Sequence, residues 1–139
     1  MVRWRGRVPA TPAGAGVLRG EMEAIALQCG LSPERAKDVK LAVSEAVTNA
    51  VQHAYRDREP GDVWGIAHIE EERLRIVIAD SGIGMTPRTD SPGLGLGLPL
   101  ISQLADSIQV RTAEDGTEIH MSFPCPSASA PVGVAADSG

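Results

Sequence analysis

SEAVTNAVQHAY, residues 44–55, sets three polar side chains, Glu45, Asn49 and His53, four positions apart. At about 3.6 residues per turn, that spacing lines them along one slowly drifting stripe of a helix. Val39, Val43, Ala46, Val47, Ala50 and Ala54 recur at three- and four-residue steps on the other side. That is the buried stripe of an amphipathic helix. Taken alone, the polar stripe has a plain explanation, that it faces water. Asn is a mediocre helix former, so Asn49 in mid-helix points to a second explanation, a task at that position, without deciding between them.

Working outward, Ser32-Pro33-Glu34 supplies the start of this helix, which is expected to last until about Tyr55. Residues 2–8 read as a first short strand ending at Pro9, and Thr11-Pro12 as the start of a first helix running to about Cys29. Its inward side chains are expected to be Val17, Met22, Ile25, Ala26 and Cys29, with Gly30 closing it. Downstream, RDREPGD (56–62) forces a loop, and two strands follow, 63–69 and the β-branched run LRIVIA (74–79), joined by EEER. The second strand delivers Asp80 at its end. Residues 81–97 are glycine- and proline-rich loop, and Pro99 suits the first turn of a third helix, 98–105, with Leu100, Ile101 and Leu104 inward. SIQVRT and TEIHMSF pair as a hairpin across Glu114-Asp115-Gly116. Thr117 is in phase with Ile119, Met121 and Phe123, so it points to the core face. The pattern gives one domain, 1–124, and a small, polar tail, 125–139, that is expected to be disordered.

The whole-chain properties narrow the function classes. The 139 residues are enough to bury a real core, which with two Trp, one Tyr and one Phe must be mostly aliphatic. A net charge of −5 argues against direct nucleic-acid binding. Arg3, Arg5, Arg7 and Arg19 are a local exception, read as a solvated strand face. Cys29 and Cys125 match no zinc spacing and no disulfide framework, which fits reduced thiols in a cytoplasm. No stretch approaches the roughly 18 apolar residues that span a membrane, and MVRWRGRVPATP has no apolar region behind it to make a secretory signal.

Two glycine motifs complete the constellation. In DSGIGM (80–85) a carboxylate leaves a strand directly into glycines. Asp and Gly favour turns in any protein; the functional alternative is that glycines admit a flat ligand while Asp80 accepts a hydrogen bond from it. GLGLGLP (93–99) is either a flexible linker or a set of backbone N–H groups before a helix start, where the helix dipole favours phosphate. It is neither a dinucleotide fingerprint, since the spacing is G-x-G-x-G and no strand precedes it, nor a Walker A loop, since the G-K-[ST] ending is absent.

In this order and spacing, these stretches resemble the boxes of the GHKL (Bergerat-fold) ATPase superfamily. SEAVTNAVQHAY looks like its N box, DSGIGM its first glycine box, GLGLG its second, and GTEIHMSFP the strand that closes the adenine pocket. AVSEAVTNAVQHAY and GLGLPLI are similar to the bacterial anti-sigma-factor serine/threonine-protein kinases in particular, and the resemblance covers roughly residues 7–124. It implies a two-layer α/β sandwich, a mixed, mostly antiparallel sheet with helices on one face and ATP held between.

Carried onto this chain, the resemblance implies that Asn49 ligates the Mg²⁺ bridging the phosphates and that Glu45 is the general base. Asp80 would bind the adenine amino group, with Gly82, Gly84 and Met85 shaping the pocket and Thr117 assisting. Gly93, Gly95, Gly97 and Leu98 would face the phosphates. His53 lies at a pocket position in the family, and as a lone helix histidine it reads equally well as structural. The implied activity is an anti-sigma factor that sequesters a sigma factor and phosphorylates a serine of an anti-anti-sigma (STAS-type) partner, as a cytoplasmic homodimer. One departure stands out: only Met85 to Pro92 separate the glycine boxes, where the family's better-known members carry a longer ATP lid, and Arg88 is the segment's single cation. A trimmed lid keeps a second reading open, a non-catalytic ATP-binding regulatory module. A detached histidine-kinase catalytic domain is a third, opposed by the lack of any histidine before His53.

Overall fold

The computed structural model describes residues 2–50, 61–80, 101, 103–113 and 116–125. Five strands, β1 (Val2–Pro9), β2 (Asp62–Glu70), β3 (Arg73–Asp80), β4 (Ser107–Ala113) and β5 (Gly116–Pro124), form one sheet in the order β1-β2-β3-β5-β4. All four pairings are antiparallel, so no parallel pair enters the sheet among the described residues. Helices α1 (Pro12–Gln28) and α2 (Pro33–Asn49) cover one face. Ile101, Gln103 and Leu104 are helical, within the third helix expected at 98–105.

The helix starts follow their sequence signals. Thr11 Oγ1 accepts from Gly14 N at 3.1 Å and Ser32 Oγ from Arg35 N at 3.1 Å, each ahead of a proline in the first turn. Helix α1 ends as Leu31 N reaches back to Ala26 O at 3.1 Å around Gly30, whose φ of 94° is open to glycine without a Cβ penalty.

Strand alternation sorts the sheet into two faces. Val63, Ala67, Leu74, Ile76, Ile78, Ile119, Met121 and Phe123 are buried toward the helices, against Leu18, Met22, Val39, Val43 and Val47. The expectation for α1 is corrected at one position. Val17 is 51% exposed, and its neighbour Leu18 is fully buried. The stripe that meets the sheet is Leu18, Met22, Ile25 and Cys29, at steps of four, three and four, which leaves Val17 about 100° away around the helix. Leu18 fits because β2 carries Gly65 beneath it; a Cβ there would lie 2.7 Å from Leu18 Cδ2. The exposed Arg3, Arg5 and Arg7 fit the solvated edge-strand reading.

The connections give the sandwich two poles. At one, β1 ends, β2 begins, β3 ends at Asp80 and β5 begins, since Pro9 pairs with Asp62, Val63 with Asp80 and Asp80 with Thr117. At the other, Glu71 and Glu72 make the β2–β3 turn with φ of 52° and 64°, the left-handed pair of a tight type I′ hairpin, normally Asn-Gly. Helix α1 descends from the first pole to the second, and α2 climbs back. The foot of α2 is fixed by Arg35, whose Nη1 donates to Asp38 Oδ2 at 2.8 Å and to Leu104 O at 3.0 Å. Its guanidinium also lies 5.5 Å from the centroid of the Phe123 ring.

Arg35 thus joins α2, the end of the third helix and β5. Arg35→Ala is expected to cost about 1–2 kcal/mol, from lost charged hydrogen bonds and ring contact on a half-exposed side chain. Urea unfolding checks this. A midpoint equal to wild type would show that desolvation and side-chain ordering offset those contacts.

Candidate functional site

Asp80 and Thr117 are direct cross-strand partners on β3 and β5, and both sit on the helix-facing side of the sheet. They are 8% and 1% exposed, two of the four buried polar residues among those described. An apolar face that ends in a carboxylate and a hydroxyl side by side is a polar floor at one pole. Val63, the neighbour of Asp80 on β2, closes its other side and is fully buried.

Helix α2 brings the second half of the site. Its foot lies at the opposite pole, and 17 residues at about 1.5 Å each carry it some 25 Å along the sheet. That is the length of an eight-residue strand such as β3, so Asn49 arrives at the Asp80 pole. Asn49 is 4% exposed, and Glu45, one turn earlier, is half-buried. The polar stripe therefore does not simply face water.

The side-chain amide of Asn49 is the informative atom group. Its Nδ2 is buried and has no hydrogen-bond partner, a situation that costs roughly 1–3 kcal/mol. Among the described residues one other buried side-chain nitrogen, Arg75 Nε, lacks a hydrogen bond, yet it lies 3.0 Å from Glu70 Oε1 in an ion pair. Asn49 Nδ2 is left as the buried side-chain nitrogen with neither a hydrogen bond nor an ion pair among the described residues.

The described residues also enclose a depression of about 340 Å³, lined by His68, Arg75, Ser107, Gln109 and His120. It lies on the outer face of the sheet, with the sheet between it and the helices. Its histidines are engaged with carboxylates, His120 Nε2 with Glu118 Oε1 at 2.8 Å and His68 Nε2 with Glu70 Oε1 at 3.8 Å. It shares no residue with the Asp80 pole.

Of the sequence-derived site residues, Glu45, Asn49, Asp80 and Thr117 are thus carried by elements that meet at one pole. His53, Gly82, Gly84, Met85, Arg88, Gly93, Gly95, Gly97 and Leu98 lie outside the described residues.

The chain matches the histidine kinase-like ATPase domain over residues 8–123, which takes in both helices and all but the start of the sheet. It belongs to that family. Among relatives of this histidine kinase-like ATPase, the serine-protein kinase RsbW of Bacillus velezensis is 35% identical over 121 residues, 76% of each chain. RsbW of Oceanobacillus iheyensis is 46% identical over 76 residues, 55% of this chain and 48% of that one. A histidine kinase domain of a blue-light-activated kinase from Erythrobacter litoralis superposes with a TM-score of 0.62 at 27% identity, covering 86% of this chain and 63% of that one. The RsbU and RsbW domains of a Mycobacterium tuberculosis protein give a TM-score of 0.67 at 18% identity, over 87% of this chain and 31% of that one. The last is a likeness of fold alone. No helix among the described residues is long and apolar enough to cross a membrane.

Proposed function

We propose that this histidine kinase-like ATPase is a cytoplasmic anti-sigma factor with protein serine/threonine kinase activity. In this reading it binds Mg-ATP at the Asp80 pole, sequesters a sigma factor and phosphorylates a serine of an anti-anti-sigma (STAS-type) partner, working as a homodimer. The observation that carries the reading is the buried, unpartnered Nδ2 of Asn49 at the same pole as the buried Asp80–Thr117 pair. Relatives named serine-protein kinase at 35% identity over three-quarters of both chains support the choice of reaction.

The residues present suit the group they would hold. An amide oxygen is a hard ligand of the kind Mg²⁺ accepts alongside water and phosphate oxygens; the buried Asn49 atom without a hydrogen bond is the donor Nδ2, which suits an acceptor such as a phosphate oxygen of the nucleotide. The ion, when bound, neutralises phosphate charge as the terminal phosphoryl leaves. Glu45 holds its carboxylate one turn below Asn49 and takes the proton of the incoming serine hydroxyl. Asp80, an acceptor at the end of β3, takes a hydrogen bond from the adenine amino group, and Thr117 supports it from β5. Gly82, Gly84 and Met85 shape the pocket wall. Gly93, Gly95, Gly97 and Leu98 offer backbone N–H groups to phosphate ahead of the third helix, and His53 is assigned to the same pocket by its place in the sequence, four residues after Asn49.

Incubating the protein with labelled ATP and candidate partner proteins tests the reading. Label on a partner serine, lost without Mg²⁺, is the expected result. Nucleotide and partner binding with no transfer would favour the second reading, a non-catalytic ATP-binding module. The short Met85–Pro92 segment supports that alternative, because it is little chain with which to exclude water from a terminal phosphate.

Arg88 is the one cation of that segment and the group available to it for a charge-assisted contact with the γ-phosphate. Arg88→Ala is expected to weaken ATP several-fold and to leave ADP nearly unchanged, since ADP lacks the contacted group. Titrating both nucleotides at fixed salt and Mg²⁺ checks it; equal losses would move Arg88 to the inner phosphates or to the loop's own fold.

A further inference from the structure

The two cysteines of the chain are 96 residues apart in sequence and meet at the pole opposite the candidate site. Cys29 caps the end of α1, and Cys125 follows β5. The Cys125 thiol donates to the Cys29 carbonyl oxygen at 2.7 Å. A cysteine sulfur lies about 2.8 Å from its own Cα and a carbonyl oxygen about 2.4 Å from its own, so the two Cα atoms are within about 8 Å. Disulfides bridge Cα separations of about 4.4–6.8 Å, so from a separation at the upper bound closure needs backbone movement of about 1 Å. Both residues are buried, at 3% and 0% exposure, and both thiols are unbridged.

We propose that Cys29 and Cys125 are an oxidative modification site, closing to an intramolecular disulfide when the folded protein meets a hydroperoxide. Two buried cysteines also serve as small apolar side chains, but packing alone gives no reason for the only two to meet. Access requires local opening at Cys125, which is fully buried just past the end of β5. Its backbone N–H donates to Glu72 O at 2.8 Å, and strand ends open at low free-energy cost. The Cys125 thiolate attacks one peroxide oxygen; the S–O bond forms as the O–O bond breaks, and the departing hydroxide takes up a proton to leave as water. The Cys29 sulfur then attacks that sulfenic sulfur, forming the S–S bond and expelling a second hydroxide, which leaves as water with the proton Cys29 gives up. Two thiols lose two electrons and two protons, and hydrogen peroxide is reduced to two waters. A dithiol reverses the bridge by exchange.

The test uses the full chain under native conditions with hydrogen peroxide. The expected product is a monomer lighter by about 2 Da, with a peptide linking Cys29 to Cys125 that dithiothreitol separates. Unchanged mass, a gain of about 16 or 32 Da on single thiols, or disulfide-linked dimers would each overturn the proposal. The same treatment of the chain unfolded in denaturant supplies the second arm. The fraction of oxidised chains that carry the link, as against single-thiol oxidation or dimers, should fall at least about 10-fold there, because unfolding separates residues at the two ends of a long loop. An equal or larger linked fraction would show that the native juxtaposition is not the cause.

Discussion

Glu45→Ala is expected to bind Mg-ATP within a few-fold of wild type and to transfer phosphate at least about 100-fold more slowly, the usual scale for a lost general base. The two effects separate because of where the side chain stands. Glu45 is half-buried one turn before Asn49, and in the proposed roles it takes the proton of the incoming hydroxyl while Asn49 holds the ion. Alanine is the best helix former, and the neighbouring contacts of Ala42, Val43, Ala46 and Val47 with the core are untouched, so α2 should persist. Asn49→Ala should show the opposite pattern, damaging Mg-dependent ATP affinity before any transfer step. Single-turnover transfer alongside calorimetric titration distinguishes them. Transfer by Glu45→Ala at the wild-type rate would remove Glu45 from the catalytic role while leaving the ATP site in place.

Asp80→Asn should weaken ATP and ADP alike by about 10- to 100-fold, equivalent to roughly 1–3 kcal/mol for a buried hydrogen-bond mismatch. The exchange keeps the shape of the side chain and replaces an acceptor-only carboxylate with an amide that also presents donors. At 8% exposure, between Val63 and Thr117, the new group has little room to turn away. The loss should be equal for the two nucleotides because adenine is common to both. Unchanged ADP affinity would remove Asp80 as the adenine anchor, and a loss confined to ATP would move it to the phosphate end.

Features written in local chemistry are legible in the order of the residues. Thr11-Pro12 and Ser32-Pro33 start helices because a hydroxyl accepts a nearby N–H and proline suits a first turn. LRIVIA and TEIHMSF are strands because β-branched alternation has one good conformation against a core. The stripe Val39, Val43, Ala46 and Val47 sets the phase of α2 correctly, since its polar and apolar sides are well separated. Helix α1, rich in Ala and Gly, has no such contrast, and its spacing points to Val17 where Leu18 makes the contact. The space beneath Gly65 decides that choice, and it lies more than 40 residues away. The Glu71-Glu72 turn is similar. A polar EEER run marks a turn, but neither central residue favours positive φ, and the pairing of β2 with β3 imposes that geometry.

Side-chain type and short-range spacing suffice to say where helices and strands form and to which family the chain belongs, and they single out the candidate site residues. What those residues have beside them is a property of the tertiary fold. Asp80 and Thr117 are 37 positions apart and become neighbours because β5 inserts between β3 and β4. Asn49 reaches their pole because α2 is as long as the sheet is deep, and its Nδ2 is left without a hydrogen bond by the packing around it. Cys29 and Cys125 meet because α1 and β5 end at the same pole. Each of these juxtapositions depends on chain closure over long loops, whose outcome is set by the burial of the whole core and by no local stretch.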